Sequence, residues 1–192
     1  IGGTLAGNNK NLILNSTGVT TLSGDLTALT TLSTNTGGST TLEAGVDITT
    51  TGTMTFNDAV IIGSGAGVSA SILDADNDII TLKAVTGLDA GTQNLTINSG
   101  TARTEVDGIV SKLETLTIAD SGGVTFDAAV TTTTAVVLTD TADNADIIFA
   151  GNLSTATLTV AAEAFNVEIN EDATITNAVT FSNTGLLVLG DG

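Results

Sequence analysis

The side chains able to do ionic chemistry in this chain are almost all carboxylates. Its 192 residues include 21 Asp and Glu but only four bases, Lys10, Lys83, Arg103 and Lys112, and neither His nor Cys. The common nucleophile–base pairings are therefore out of reach. Paired carboxylates remain, the machinery of glycoside hydrolysis. Glu163 with Glu168, Glu171 with Asp172, and Asp143 with Asp146 are near enough in sequence to be considered. Each pair also fits a solvated turn on a very acidic protein, and no Trp or Tyr is present to stack a sugar ring. No long loops stand out that would wall a cleft on both sides. The expectation is that the chain is not an enzyme.

Calcium is the one cofactor the residues suggest. Asp74-Ala75-Asp76-Asn77-Asp78 sets three carboxylates on alternate positions of a turn, a donor set suited to a hard, oxygen-seeking cation. The run departs from an EF-hand loop, because Ile79 takes the glycine position and Val85 the bidentate-glutamate position. A related but looser stretch runs from Asp140 through Asp143 and Asn144 to Asp146. Asp74, Asp76 and Asp78 are the candidate ligands.

Threonine offers a different chemistry. The chain has 38 threonines, many in Thr-x-Thr pairs: Thr53/Thr55, Thr115/Thr117, Thr155/Thr157/Thr159 and Thr174/Thr176. A flat threonine array can order water as ice does, but only if the pairs return at a constant period. Theirs is irregular, so ordinary outward-facing strand threonines are expected. The sequons at Asn15, Asn94 and Asn152 are what chance produces in a chain this rich in Asn and Thr.

The elements that would position these groups are strands. Hydrophobic residues make up 41% of the chain, too many for a disordered segment, and most are β-branched or aliphatic. Phe165-Asn166-Val167-Glu168-Ile169-Asn170 alternates strictly, with Phe165, Val167 and Ile169 on one face. Asn94–Asn98, Thr157–Val160, Leu116–Ile118, Val124–Phe126 and Val179–Phe181 read the same way. Between them lie turn clusters: Ser16-Thr17-Gly18, Gly37-Gly38, Gly63-Ser64-Gly65, Ser121-Gly122-Gly123 and Asp143-Asn144. About 20 short strands at a spacing of roughly 8–10 residues are predicted, with almost no helix.

Internal echoes select among all-β architectures. Asn11-Leu12-Ile13-Leu14-Asn15-Ser16 returns as Asn94-Leu95-Thr96-Ile97-Asn98-Ser99. A shift of about 84 residues goes on to superpose Gly24 on Gly108, Leu29 on Leu113, Leu32 on Leu116, Leu42 on Phe126, Val46 on Val130 and Met54 on Leu138. Thr53–Phe56 echoes Ala178–Phe181, and Asp76–Ile80 echoes Asp143–Ile148. An immunoglobulin-like sandwich would carry more aromatic residues and proline-bearing loops, and a propeller would need longer blade repeats. The absence of proline suits coils whose strands use backbone donors and acceptors on both sides. The reading is one all-β domain over residues 1–192, a parallel β-helix (β-solenoid) of about eight or nine coils. At roughly 20–25 residues per coil and ~4.8 Å per rung, it would form a rod about 40 Å long.

The phrases Gly123-Val124-Thr125-Phe126-Asp127-Ala128-Ala129-Val130, Ala145-Asp146-Ile147-Ile148-Phe149-Ala150-Gly151 and Gln93-Asn94-Leu95-Thr96-Ile97-Asn98-Ser99-Gly100 carry a family resemblance. They are similar to the repeats of filamentous-haemagglutinin-like bacterial surface proteins. The likeness is compositional and covers most of the chain. It implies a right-handed β-helix, export to the cell surface or beyond, and an adhesive or scaffolding role. No recognisable secretion domain accompanies it.

Charge bounds the partners. A net charge of −17 gives no basic footprint for nucleic acid and disfavours anionic membrane surfaces. No apolar stretch approaches the ~20 residues of a membrane span, so no membrane insertion is expected. A Cys-free chain is compatible with the outside of a cell. The chain begins with Ile1, as a processed product or a piece of something longer would. The β pattern starts by Leu12-Ile13-Leu14 and continues to Leu186-Leu187-Val188-Leu189, with no cap at either end. The expected function is a structural subunit or segment of an extracellular or cell-surface fibre, meeting copies of itself head to tail. The alternative is an adhesin stalk that binds carbohydrate or protein on another surface.

Overall fold

A computed structural model describes residues 1–63 and 69–190. The described residues contain 21 strands and no helix, all joined in one parallel sheet that winds into a β-solenoid of about nine turns. Ser64 and Gly65 of one expected turn lie outside the described residues. Each coil contributes three rungs, so the strands pile into three stacks.

Stack I contains the first halves of β1 (Leu5–Leu14) and β3 (Leu26–Thr34), then β5 (Asp47–Thr50), β8 (Ser71–Asp74) and β11 (Asn94–Asn98). It continues through the second halves of β13 (Val110–Asp120) and β15 (Val130–Leu138), then β18 (Thr157–Val160). Stack II takes the second halves of β1 and β3, then β6 (Met54–Phe56), β9 (Ile80–Leu82), β12 (Thr104–Val106), β14 (Val124–Phe126), β16 (Asp146–Phe149), β19 (Asn166–Ile169) and β21 (Leu187–Leu189). Stack III is built from β2 (Val19–Leu22), β4 (Ser39–Leu42), β7 (Ala59–Ile62) and β10 (Val85–Gly87), then the first halves of β13 and β15, β17 (Leu153–Thr155) and β20 (Ala173–Ile175).

Strand alternation explains the core. Every second residue points inward and meets its register partners on the coils above and below. In stack I the inward column runs Leu5, Leu26, Ile48, Leu73, Ile97, Ile118, Leu138, Val160 and Phe181. In stack II, Phe126 and Phe149 stack within such a column. Phe165, Val167 and Ile169 are buried on one face, as the alternation predicts. Val179–Phe181 is not a strand; it contributes only the isolated bridge between Val160 and Phe181.

Corners are where backbone meets backbone. A Cβ added to Gly122 would lie 2.0 Å from the Thr101 carbonyl oxygen, so only glycine fits that approach. Long strands bend at a corner through a residue at positive φ, Ala28 (52°) in β3 and Lys112 (59°) in β13. Each is followed by a buried leucine, Leu29 or Leu113.

These bends explain the 84-residue echo. It superposes Leu29 on Leu113, but the first bend joins stacks I and II whereas the second joins stacks III and I. Likewise Leu12 belongs to stack II and Leu95 to stack I. Four coils on from Leu12 the register arrives at Thr104. The shift thus relates phrases of similar chemistry on different faces. The echo of Asp76–Ile80 in Asp143–Ile148 is a true coil relation, because Ile80 and Ile147 share one column of stack II.

Candidate functional site

The acidic residues collect at the corners and largely leave the faces. Asp143 and Asp146 lie at a corner between stacks I and II, as does exposed Glu163 one coil later. Glu168 points outward from β19, and Glu171 and Asp172 occupy the next corner. Two shallow clefts of about 260 and 220 Å³ are present. Neither is lined by any of these three pairs. The larger contains Asp74 and Asp76 with Ala28, Leu29 and Thr49–Thr51, and the smaller contains Glu105, Asp107, Thr125 and Asp127.

The suggested calcium ligands are engaged in shaping their turn. The Asp74 carboxylate accepts the Asp76 backbone N–H at 3.0 Å, and the Asp78 carboxylate accepts the Ile79 N–H at 2.9 Å. Asp76 and Asn77 adopt φ of 43° and 72°, conformations that Asp and Asn tolerate better than most residues. The Asn77 side-chain oxygen accepts the Thr101 N–H from the next coil at 3.1 Å. Among the described residues, no three His, Cys, Asp or Glu side chains form a group able to hold a metal ion.

One carboxylate is not on the surface. Asp58 is 6% exposed at a corner between stacks II and III. It accepts the Thr34 hydroxyl at 2.7 Å and the Thr40 hydroxyl at 3.0 Å. Thr34 in turn accepts the Asn57 backbone N–H at 2.9 Å, so the carboxylate closes a buried polar network across two coils. A sequence full of corner acids gives no signal that this one is inside.

The Thr-x-Thr pairs do not converge on one face. Thr115/Thr117 and Thr157/Thr159 share stack I, with Ala135/Val137 on the coil between them. Thr55 lies on stack II and Thr174 on stack III, while Thr155 is buried. The longest hydroxyl column falls on stack III: Thr21, Thr41, Ile61, Thr86 and Ser111 are successive register partners facing outward, and Thr131, Ser154 and Thr174 continue the column, Ser111 and Thr131 each following the paired Val110 and Val130. Seven of these eight rungs present a hydroxyl and none presents a charge.

The terminal rungs differ from the rest of the rod. Among the described residues β1 at one end, and β20 and β21 at the other, have a parallel strand on the inner side only, whereas the outer edge of β2 bonds Ile1, whose amino group donates to the Thr21 carbonyl at 2.7 Å and whose carbonyl accepts the Ser23 N–H at 2.8 Å. An unpaired edge presents free backbone N–H and C=O groups and templates another strand. Charge clears at the same places: no acid precedes Asp25, and residues 173–190 carry no charge at all. Among the described residues ten large hydrophobics are exposed, and seven sit in these end coils: Ile1, Ile13, Val19, Leu186, Leu187, Val188 and Leu189.

Compared with known proteins, no family model matches the chain, and searches of curated proteins and of solved structures return no significant match.

Proposed function

We propose that the chain is a structural segment or subunit of an extracellular or cell-surface fibre, joined end to end through its open terminal coils. The observation that carries this reading is one continuous parallel sheet of 21 strands among the described residues, a rod architecture that lengthens by adding coils. Charge supports it. Twenty of the 21 acids lie between Asp25 and Asp172, so rods repel side by side while their ends carry little repulsion. The resemblance to filamentous-haemagglutinin-like surface proteins, in which long β-helices form fibres, supports the same role and an exported location. The reading assigns the chain no catalytic step.

Electron microscopy and sedimentation of the purified chain test it. Unbranched filaments one rod wide, lengthening with protein concentration, are the expected result. Monodisperse rods about 40 Å long at all concentrations would overturn it.

A second reading rests on stack III. Its uncharged hydroxyl column suits a neutral glycan, which would make the chain an adhesin stalk. Co-sedimentation with insoluble uncharged polysaccharide, lost on Thr131→Glu with Ser154→Glu, is the outcome expected of that reading. Wild-type protein left in the supernatant would dismiss it.

A further inference from the structure

Two of the Thr-x-Thr pairs do come together in space. On stack I, Asn94, Thr115, Ala135 and Thr157 are successive register partners facing outward. Thr96, Thr117, Val137 and Thr159 form the parallel column two residues further along each strand. The pairs return irregularly along the chain because corners differ in length, but each coil still advances one rung. The two columns therefore repeat at ~4.8 Å along the rod and lie about 6.6 Å apart across it. Pairing over these eight positions has no register shift, and none of the described residues at positive φ falls among them. Leu95, Leu116, Val136 and Leu158, with Ile97, Ile118, Leu138 and Val160, are buried beneath, so the patch is flat and backed by packed core.

Its chemistry is neutral throughout. Five of the eight side chains are threonine, one is asparagine and two are aliphatic, on a chain of net charge −17. Glu114, Asp120 and Asp140 stand outside the columns, before Thr115 or after Ile118 and Leu138. Among the described residues, the hydroxyls of Thr96, Thr115, Thr117 and Thr159 have no partner within the protein, whereas Thr157 accepts the Asn177 amide at 2.9 Å and Asn94 donates to Glu114 at 3.3 Å. A branched Cβ restricts threonine to few rotamers. The patch thus sets unused donors and acceptors beside methyl groups on a fixed two-dimensional lattice.

We infer that this face of stack I binds ice. The rung spacing is close to the distance between equivalent water oxygens along one axis of hexagonal ice, so water ordered at one rung is in step with the next. An ice plane is neutral and extended, and its water donates and accepts alike. Other occupants lack a counterpart here. An ion or charged polymer meets no opposite charge, and a sugar ring meets no aromatic side chain among the eight. A second copy laid face to face would bring the carboxylates of Glu114, Asp120 and Asp140 toward their own copies. Ice binding needs only these four coils, whatever precedes or follows them.

Thermal hysteresis, and partition of the chain between slowly grown ice and the remaining liquid, test this. Wild-type protein should enter the ice and hold the freezing point below the melting point. Thr117→Tyr with Thr159→Tyr should abolish both effects. Circular dichroism should stay that of wild type, because both side chains point outward. Thr131→Tyr, the same change on the outer face of stack III, should leave ice binding intact. Thr117→Ser with Thr159→Ser is a gentler companion that removes only two methyl groups; it should keep the fold and lose part of the hysteresis. Wild-type protein excluded from ice, or ice binding that survives the tyrosine pair or falls equally with Thr131→Tyr, would overturn the assignment. Retention on insoluble uncharged polysaccharide without uptake into ice would also overturn it and give the face to a glycan.

Discussion

The rings of Phe126 and Phe149 lie face to face on adjacent coils, with centroids 5.0 Å apart and planes 11° from parallel. They are register partners in stack II, so one column of a parallel sheet holds both aromatics at rung spacing. Each is almost fully buried, and Phe149 also pairs with Ile169 on the following coil. Truncating Phe149 to Ala should cost about 3–5 kcal/mol, from lost burial and the cavity left behind. Phe149→Leu should cost less, because an aliphatic residue occupies the same column on other coils. Urea unfolding of the two variants checks the order; an equal loss would mean that the ring stack, and not the filled volume, carries the stability.

Asp58 offers a second test, because its carboxylate is what the Thr34 and Thr40 hydroxyls donate to. Asp58→Ala orphans two buried hydroxyls at about 1–3 kcal/mol each. Asp58→Asn keeps an acceptor oxygen and should retain much of the stability. Thermal melts of the two proteins distinguish the network from a generic corner acid, whose removal would move the melting temperature little.

Asp47 points the other way. Burial, reinforced by the nearby charge of Asp25, raises its pKa above the ordinary value, and a hydrogen bond from the Ile72 backbone only partly opposes this. A carboxyl with a raised folded-state pKa binds its proton more tightly in the folded protein. Its contribution to stability is fully present below the unfolded-state pKa and is lost as pH rises through the folded-state value. Asp47→Asn should therefore raise the melting temperature at neutral pH, and the gain should shrink as the solution is acidified. A variant less stable than wild type at neutral pH would contradict this.

Gly122 tests the corner packing. Gly122→Ala places a methyl group against the Thr101 carbonyl, and backbone on both coils must shift to admit it. The expected loss is about 1–3 kcal/mol, the scale of overpacking a tight site. Gly18→Ala, with nothing within 4 Å of the added carbon, is the matched control and should be nearly neutral. Chemical denaturation of the pair is sufficient, and equal stabilities would refute the close approach.

Much of the fold is legible in the residues themselves. Alternation such as Phe165, Val167 and Ile169 identifies strands because a side chain's face is set by parity, a local property. The absence of proline and helical periodicity, with glycine and asparagine at the turns, narrows those strands to stacked coils. The candidate site was less visible. At the acidic run, spacing suggests Asp74, Asp76 and Asp78 as a donor set but does not reveal that the Asp74 and Asp78 carboxylates accept backbone N–H groups within the turn.

Only the tertiary structure decided which residues share a column. Register partners along stack I are separated by between 20 and 25 residues, since corners vary in length while rungs do not. A fixed-period comparison therefore joins Leu12 to Leu95 across different faces, and it misses the stack III hydroxyls and the buried place of Asp58. Sequence determined that this chain stacks strands into coils, because strand formation and alternation are local. Which side chains stand above one another depends on hydrogen-bond register summed over corners of unequal length.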